Sequence, residues 1–151
     1  KPPATLLDFL ARHGVVYRLI HHPVVYTAQE LAAVLGIKGR QFAKVAFVTN
    51  ATGAELLVLP GDHRIDFARL PGWQLAPETA MRVTFPDCEP GTMPPFGALY
   101  HVPMRVDRRL AENERIAFQA GTHSDVLTMA WADYQRVAQP VLADFAFKPD
   151  D

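Results

Sequence analysis

From Leu6 to Arg12 the apolar and polar positions follow helical spacing, Thr5-x-x-Asp8 in front has the form of a capping box, and Gly14 can close the segment as a C-cap. A first helix is expected there. Val15 to Ile20 is rich in β-branched and aromatic residues and stops at His21-His22-Pro23, so it reads as a strand. Thr27 with Glu30 repeats the capping-box pattern ahead of a short helix with Leu31, Val34 and Leu35 on one face and Gly36 at its end. Two apolar runs, Val45 to Thr49 and Glu55 to Leu59, flank Asn50-Ala51-Thr52-Gly53 and predict a hairpin at the centre of a sheet. Arg64 to Leu70 reads as a short helix stopped by Pro71-Gly72, and Pro77 as the first residue of a helix running to Arg82 or Val83. Short strands are expected at Leu99–Tyr100, Met104–Val106, Arg115–Gln119 and Val126–Met129, and a last helix at Trp131–Ala138 ahead of Pro140.

This order of elements predicts an α+β fold with helices around a mainly antiparallel sheet. No repeat or linker interrupts residues 1–151, and that length suits one domain. One stretch fits neither helix nor central strand. Cys88 to Gly97 holds three prolines and two glycines, which makes it stiff, with backbone that can turn sharply or approach a ligand closely at Gly91 and Gly97. It is either a binding loop or a rigid turn.

Composition narrows the classes. Apolar residues at 49% and charged residues at 21% describe a folding chain, without the charge excess of disorder. No apolar run reaches membrane-spanning length, Lys1-Pro2-Pro3-Ala4 is unlike a signal peptide, and a single cysteine, Cys88, fits a reducing compartment; the chain reads as cytoplasmic. The formal charge of −1 conceals an asymmetry: residues 1–54 carry +4 and residues 55–151 carry −5. Arg12, Arg18, Lys38 and Arg40 could form a surface for a polyanion or stand as separate solvated charges, and no basic run suggests DNA binding. The six histidines show no metal-ligand spacing, so no metal or other cofactor is expected. Lys44 enters an apolar strand with no acidic residue from Leu31 to Ala54, so it either snorkels to water or directs a fixed charge into a cleft.

Taken in order, Thr27-Ala28-Gln29-Glu30, Ala43-Lys44, Leu59-Pro60-Gly61 with Arg64-Ile65-Asp66, the Gly91 to Pro95 loop running into Phe96-Gly97, Val106-Asp107 and Ala120-Gly121 resemble the YbaK/prolyl-tRNA synthetase-associated domains. The resemblance spans roughly Val15 to Phe145. It implies a curved, barrel-like sheet and a trans-acting deacylase for mischarged aminoacyl-tRNA, with the acceptor end of the tRNA as partner and a synthetase as a further one. A small wrong amino acid, alanine or another small residue on tRNA(Pro), is the expected type of substrate. Lys44 matches the family's essential lysine, which implies that it positions the terminal adenosine and the ester; Val45 departs from the small polar residue or Asn that many relatives have next.

An aminoacyl ester is already activated, so a site need only hold the carbonyl, polarise it and place a water. Backbone amides of Gly91 to Gly97 and of Ala120-Gly121 could do this, which makes Gly97 a catalytic candidate beside Lys44 and His123, with Gly91, Pro95, Phe96, Ala120, Gly121 and His22 lining the substrate. His123 stands either in the site or on a surface turn, and His63 and His101 are weaker candidates. No Ser-His-Asp order or nucleophile elbow is present, and no motif marks Cys88 as a nucleophile. A noncatalytic tRNA- or synthetase-binding module of the same fold is the alternative, and a hydrolase of small esters unrelated to tRNA is a third reading; turnover separates the first two.

Overall fold

The hairpin at the middle of the chain organises the rest. In a computed structural model describing residues 1–25 and 27–149, β2 (Ala43–Thr49) and β3 (Ala54–Pro60) pair antiparallel from Ala43↔Pro60 to Thr49↔Ala54. Asn50 closes the turn by accepting the Thr52 and Gly53 amides on its side chain. β5 (Gln74–Leu75) adds to the end of β2, while β6 (Met104–Asp107) and β9 (Val141–Ala143) add on the β3 side, giving the order β5-β2-β3-β6-β9. The hairpin is therefore central, as its apolar character predicts. Pairings β3–β6 and β6–β9 are parallel, so only part of this sheet is antiparallel.

A second sheet, wholly antiparallel, has the order β1-β8-β7, from β1 (Tyr17–His21), β8 (Asp125–Ala130) and β7 (Arg115–Gln119). The two sheets meet where β2 begins, at a bridge between Phe42 and Ala117. Between them lies the largest core, with Ala43, Val58, Val106, Phe118 and Leu127 facing Leu6 and Leu10 of α1 (Ala4–Arg12) and Tyr134 of α4 (Trp131–Ala138). This wrapped arrangement is the curved α+β fold expected. A two-stranded pair, β4 (Arg64–Ile65) with β10 (Ala146–Phe147), closes the back. It is held there by the fully buried carboxylate of Asp107, which accepts from the Phe145 and Ala146 amides at 3.1 and 2.8 Å.

Several local expectations need correction. Thr5 does not cap α1: the helix already begins at Ala4, and the Thr5 hydroxyl donates to Asp87 across the fold at 2.9 Å. Thr27 does cap α2 (Ala28–Leu35), accepting from the Glu30 amide at 3.0 Å, and Gly36 ends it at φ 68°, but Val34 is exposed. Residues 64–70 form no α-helix, because β10 recruits Arg64–Ile65 into a strand and Asp66 then caps a 3-10 turn at Phe67–Arg69. Leu99–Tyr100 belongs to a 3-10 turn, Gly97–Tyr100, rather than a strand. Pro77 precedes α3 (Glu78–Thr84) as its N-cap.

Candidate active site

Alternation along β2 decides where Lys44 points. Ala43, Val45 and Phe47 pack towards the cores that contain Phe96 and Phe85, so Lys44 lies on the opposite face of the sheet, the one where Val48, Leu57, Leu59 and Phe145 form a separate core. Half-buried at the rim of that core, its ammonium donates to the main-chain carbonyl of His63. Burial lowers the Lys44 pKa from its ordinary value, the neighbouring Arg64 guanidinium lowers it further, and Asp62 partly opposes both.

The wall beside Lys44 depends on one glycine. The Gly61 amide donates to both Gly39 and Phe42 carbonyls, at 3.0 and 2.8 Å, and a Cβ there would lie 3.1 Å from the Gly39 oxygen and 3.4 Å from the Ala28 methyl. That close approach brings Gln29 of α2 and the segment Asp62-His63-Arg64 round a cavity of about 330 Å³ with Lys44 and Lys148. A neighbouring cavity of about 450 Å³ shares Asp62, His63 and Lys148 and adds Arg40, Arg109 and Glu112. Five cationic side chains thus face two carboxylates across adjoining hollows, which suits an anionic ligand. Within the wall, the His63 imidazole is only 11% exposed and bonds the Asp62 carboxylate through Nδ1 at 2.7 Å.

The other candidates assemble round the Gly91 loop. Thr92 to Gly97 are buried, with Phe96 at the centre of a ring cluster with Phe9, Phe118 and Tyr134, and the Pro95 carbonyl accepts from the Tyr134 hydroxyl at 2.8 Å. Gly97 is tight for a structural reason: an added Cβ would sit 2.3 Å from the Val102 carbonyl oxygen. Gly91 is exposed with φ 85°. The loop docks on the β7–β8 turn, where the Gly121 amide donates to the Thr92 carbonyl, the Glu89 amide donates to the Gly121 carbonyl, and the Ala120 amide donates to Asp125. In this arrangement the Ala120 and Gly121 amides are engaged by the fold. His123 joins the same turn, its amide donating to Glu89 Oε1 at 2.7 Å. His22, 5% exposed, donates its amide to the Ser124 carbonyl and bonds the Pro23 carbonyl through Nδ1.

Contacts thus join His22, Ala120, Gly121, His123 and the Gly91 loop into one unit, while Lys44 lines the hollow bounded by Gln29 and residues 61–64. Of the four basic residues expected to track tRNA, only Arg40 comes to the Lys44 cleft. Arg12 lines a hollow with Asp8 on α1, Arg18 lines another with Leu35 and Arg115, and Lys38 is exposed at the start of a 3-10 turn. Sequence reasoning placed His63 low and gave Arg64 and Lys148 no role. Gly61-Asp62-His63-Arg64 directly after the hairpin was the available signal for the first two, whereas nothing local marks Lys148.

Cys88 has no reactive setting: burial and then the Tyr100 hydroxyl and Asp87 act on its thiol, with a net rise to about 11, so it is protonated at neutral pH. Among the described residues no cluster of three or more His, Cys, Asp or Glu could hold a metal, and no helix is long and apolar enough to cross a membrane.

Residues 22–137 match the aminoacyl-tRNA editing domain family. The chain belongs to that family. Its members' chemistry, hydrolysis of the aminoacyl-tRNA ester, is accordingly the chemistry of this editing domain. A curated relative in Escherichia coli K12, the multifunctional Ser/Thr-tRNA deacylase ProXp-y, is 28% identical, with 93% of this chain and 90% of the relative covered. Among solved structures, the fold is shared with the hypothetical protein APE2540 (TM-score 0.83, 22% identity, 95% and 99% covered). It is shared also with a candidate trans-editing enzyme for prolyl-tRNA synthetase (TM-score 0.81, 20% identity, 95% of each chain covered).

Proposed function

We propose that this editing domain acts in trans on tRNA mischarged with a small amino acid, and that the ester and the terminal adenosine occupy the cleft at Lys44. The observation that carries the reading is the Lys44 ammonium, half-buried and fixed on a main-chain carbonyl among Arg40, Arg64 and Lys148. Fixed cations in a partly desolvated hollow attract the phosphates of the acceptor end and stabilise negative charge that develops on an ester carbonyl. Lys44 serves as a positioning charge in this scheme, held by His63 rather than free to attack.

Small side chains are the errors that synthetases discriminate worst, since one methylene is worth only about 1–3 kcal/mol, which gives a second, hydrolytic site its purpose. The E. coli relative carries serine and threonine in its name, so the substrate set extends beyond alanine to these two. His22, Gly91, Gly121 and His123 form the second unit of the proposed site, and Pro95, Phe96, Gly97 and Ala120 support it from within the core. A synthetase that releases the mischarged tRNA, prolyl-tRNA synthetase first, is the natural partner.

The deciding experiment is a deacylation panel: Ala-, Ser- and Thr-tRNA of mismatched identity, with cognate Pro-tRNA as control, each assayed with the wild-type protein and with Lys44→Ala. Release of at least one small amino acid, sparing of Pro-tRNA and loss of turnover in a Lys44→Ala protein with unchanged melting temperature are expected. Binding of the mischarged tRNAs with every ester left intact would make the chain a binding module instead.

A further inference from the structure

Beside Lys44 the fold has placed an imidazole oriented by a carboxylate. His63 Nδ1 lies 2.7 Å from Asp62 Oδ1, and an ionised carboxylate can only accept, so Nδ1 donates to it and Nε2 is the nitrogen left for another partner. His63 lines both hollows of the cleft, its side chain 11% exposed. Its charged surroundings come from every side: Asp62 next to it, Lys44 on β2, Arg64 at the start of β4, Arg40 before β2, Arg109 and Glu112 on the turn after β6, and Lys148 beyond β10. A histidine oriented by a carboxylate at the wall of a cleft is the arrangement of a general base.

We propose that His63 is the general base of the hydrolysis, with Asp62 as its positioning residue; this rests on the functional reading above. Nε2 takes a proton from a water as the water oxygen bonds to the ester carbonyl carbon and the carbonyl π pair moves onto oxygen, beside the Lys44 ammonium. When the tetrahedral species collapses, the bond from carbon to the ribose oxygen breaks, its electron pair leaves with that oxygen, and the proton on Nε2 follows. One water is consumed, and the products are the free amino acid and tRNA with its terminal hydroxyl restored. Lys44 is anchored on the main chain of residue 63, so the side chain of His63 can be changed without removing that anchor.

The test compares single-turnover deacylation by wild type, His63→Ala, His63→Gln and Asp62→Asn across pH, on the mischarged tRNA that the wild-type protein hydrolyses best. Both His63 variants should lose about a hundredfold or more in rate with little change in KM. They should also lose the fall in rate towards acid pH shown by wild type, and imidazole added to His63→Ala should restore part of the rate. Asp62→Asn should lose less and keep the acid fall. Wild-type rates and pH profiles in the two His63 variants would overturn the proposal, and so would a rate loss in folded His63→Gln that leaves the pH profile unchanged, since that assigns His63 to structure. A wild-type protein inactive on every mischarged tRNA would instead remove the functional reading on which the proposal stands.

Discussion

Holding a lysine amine half-buried next to the Arg64 guanidinium disfavours its charged form, so Lys44 is retained at some expense of stability. Its pKa is lower in the folded chain than in the unfolded one, and between the two values the unfolded chain binds more protons. Stability should therefore rise with pH through that alkaline window. Lys44→Met should melt no lower than wild type at neutral pH, lose that alkaline rise and deacylate about a hundredfold more slowly; a clear drop in melting temperature would mean that the lysine is structural. Gly97 behaves in the opposite way. The Val102 carbonyl oxygen stands 2.3 Å from where a Cβ on it would go. Gly97→Ala should destabilise by about 1–3 kcal/mol through overpacking, read by denaturant titration, with the chemical step intact in the folded fraction.

Among the elements, α4 is tied to the Gly-Pro loop by one hydroxyl, that of Tyr134 on the Pro95 carbonyl. Tyr134→Phe keeps the ring contacts with Phe96 and Trp131 and leaves that carbonyl unpaired in the core, a loss of about 1–3 kcal/mol visible in thermal unfolding. The elements legible in the sequence were those whose pattern is long enough to carry a period or a cap. β7 and α4 fall on the predicted residues, α2 has its cap and its terminal glycine, and the hairpin has its Asn turn. Two- and three-residue strands such as β5, β9 and β10 hold no alternation to read, and they exist because a partner strand is at hand. Thr5 and Asp8 matched a capping box, yet a helix that starts one residue before Thr5 leaves it for another bond. The site was legible at Lys44, where an unpaired cation interrupts an apolar strand. Its neighbours were hidden because the cleft is assembled from 3-10 turns and residues beyond β10, and charge counted along the sequence does not tell which face of a fold it occupies: Arg12, Arg18 and Arg40 line three different hollows.

For the molecule as a whole, Arg40, Lys44, Arg64, Arg109 and Lys148 gather on one cleft although the chain carries a net charge of −1. Binding of the acceptor end should then be salt-sensitive but weak. If about three phosphates of a single-stranded end are neutralised, affinity should fall about tenfold for a threefold rise in salt. Arg40→Glu should flatten that dependence while Arg12→Glu leaves it alone, measured by fluorescence anisotropy with labelled tRNA; equal effects of the two would argue for a diffuse surface rather than the cleft.

The pairing of β1 with β8 also bears on how the chain is made. Tyr17 finds Met129 and His21 finds Asp125, partners more than a hundred residues further along. On a ribosome the β2–β3 hairpin can close as soon as it emerges, because its contacts are local. β1 and the Leu6–Leu10 face of α1 cannot, since the β8 and α4 residues that cover them are synthesised more than a hundred residues later. Until β8 and α4 emerge the nascent chain therefore carries an uncovered strand and an apolar helix face, the kind of surface that chaperones bind and that aggregates when translation stalls.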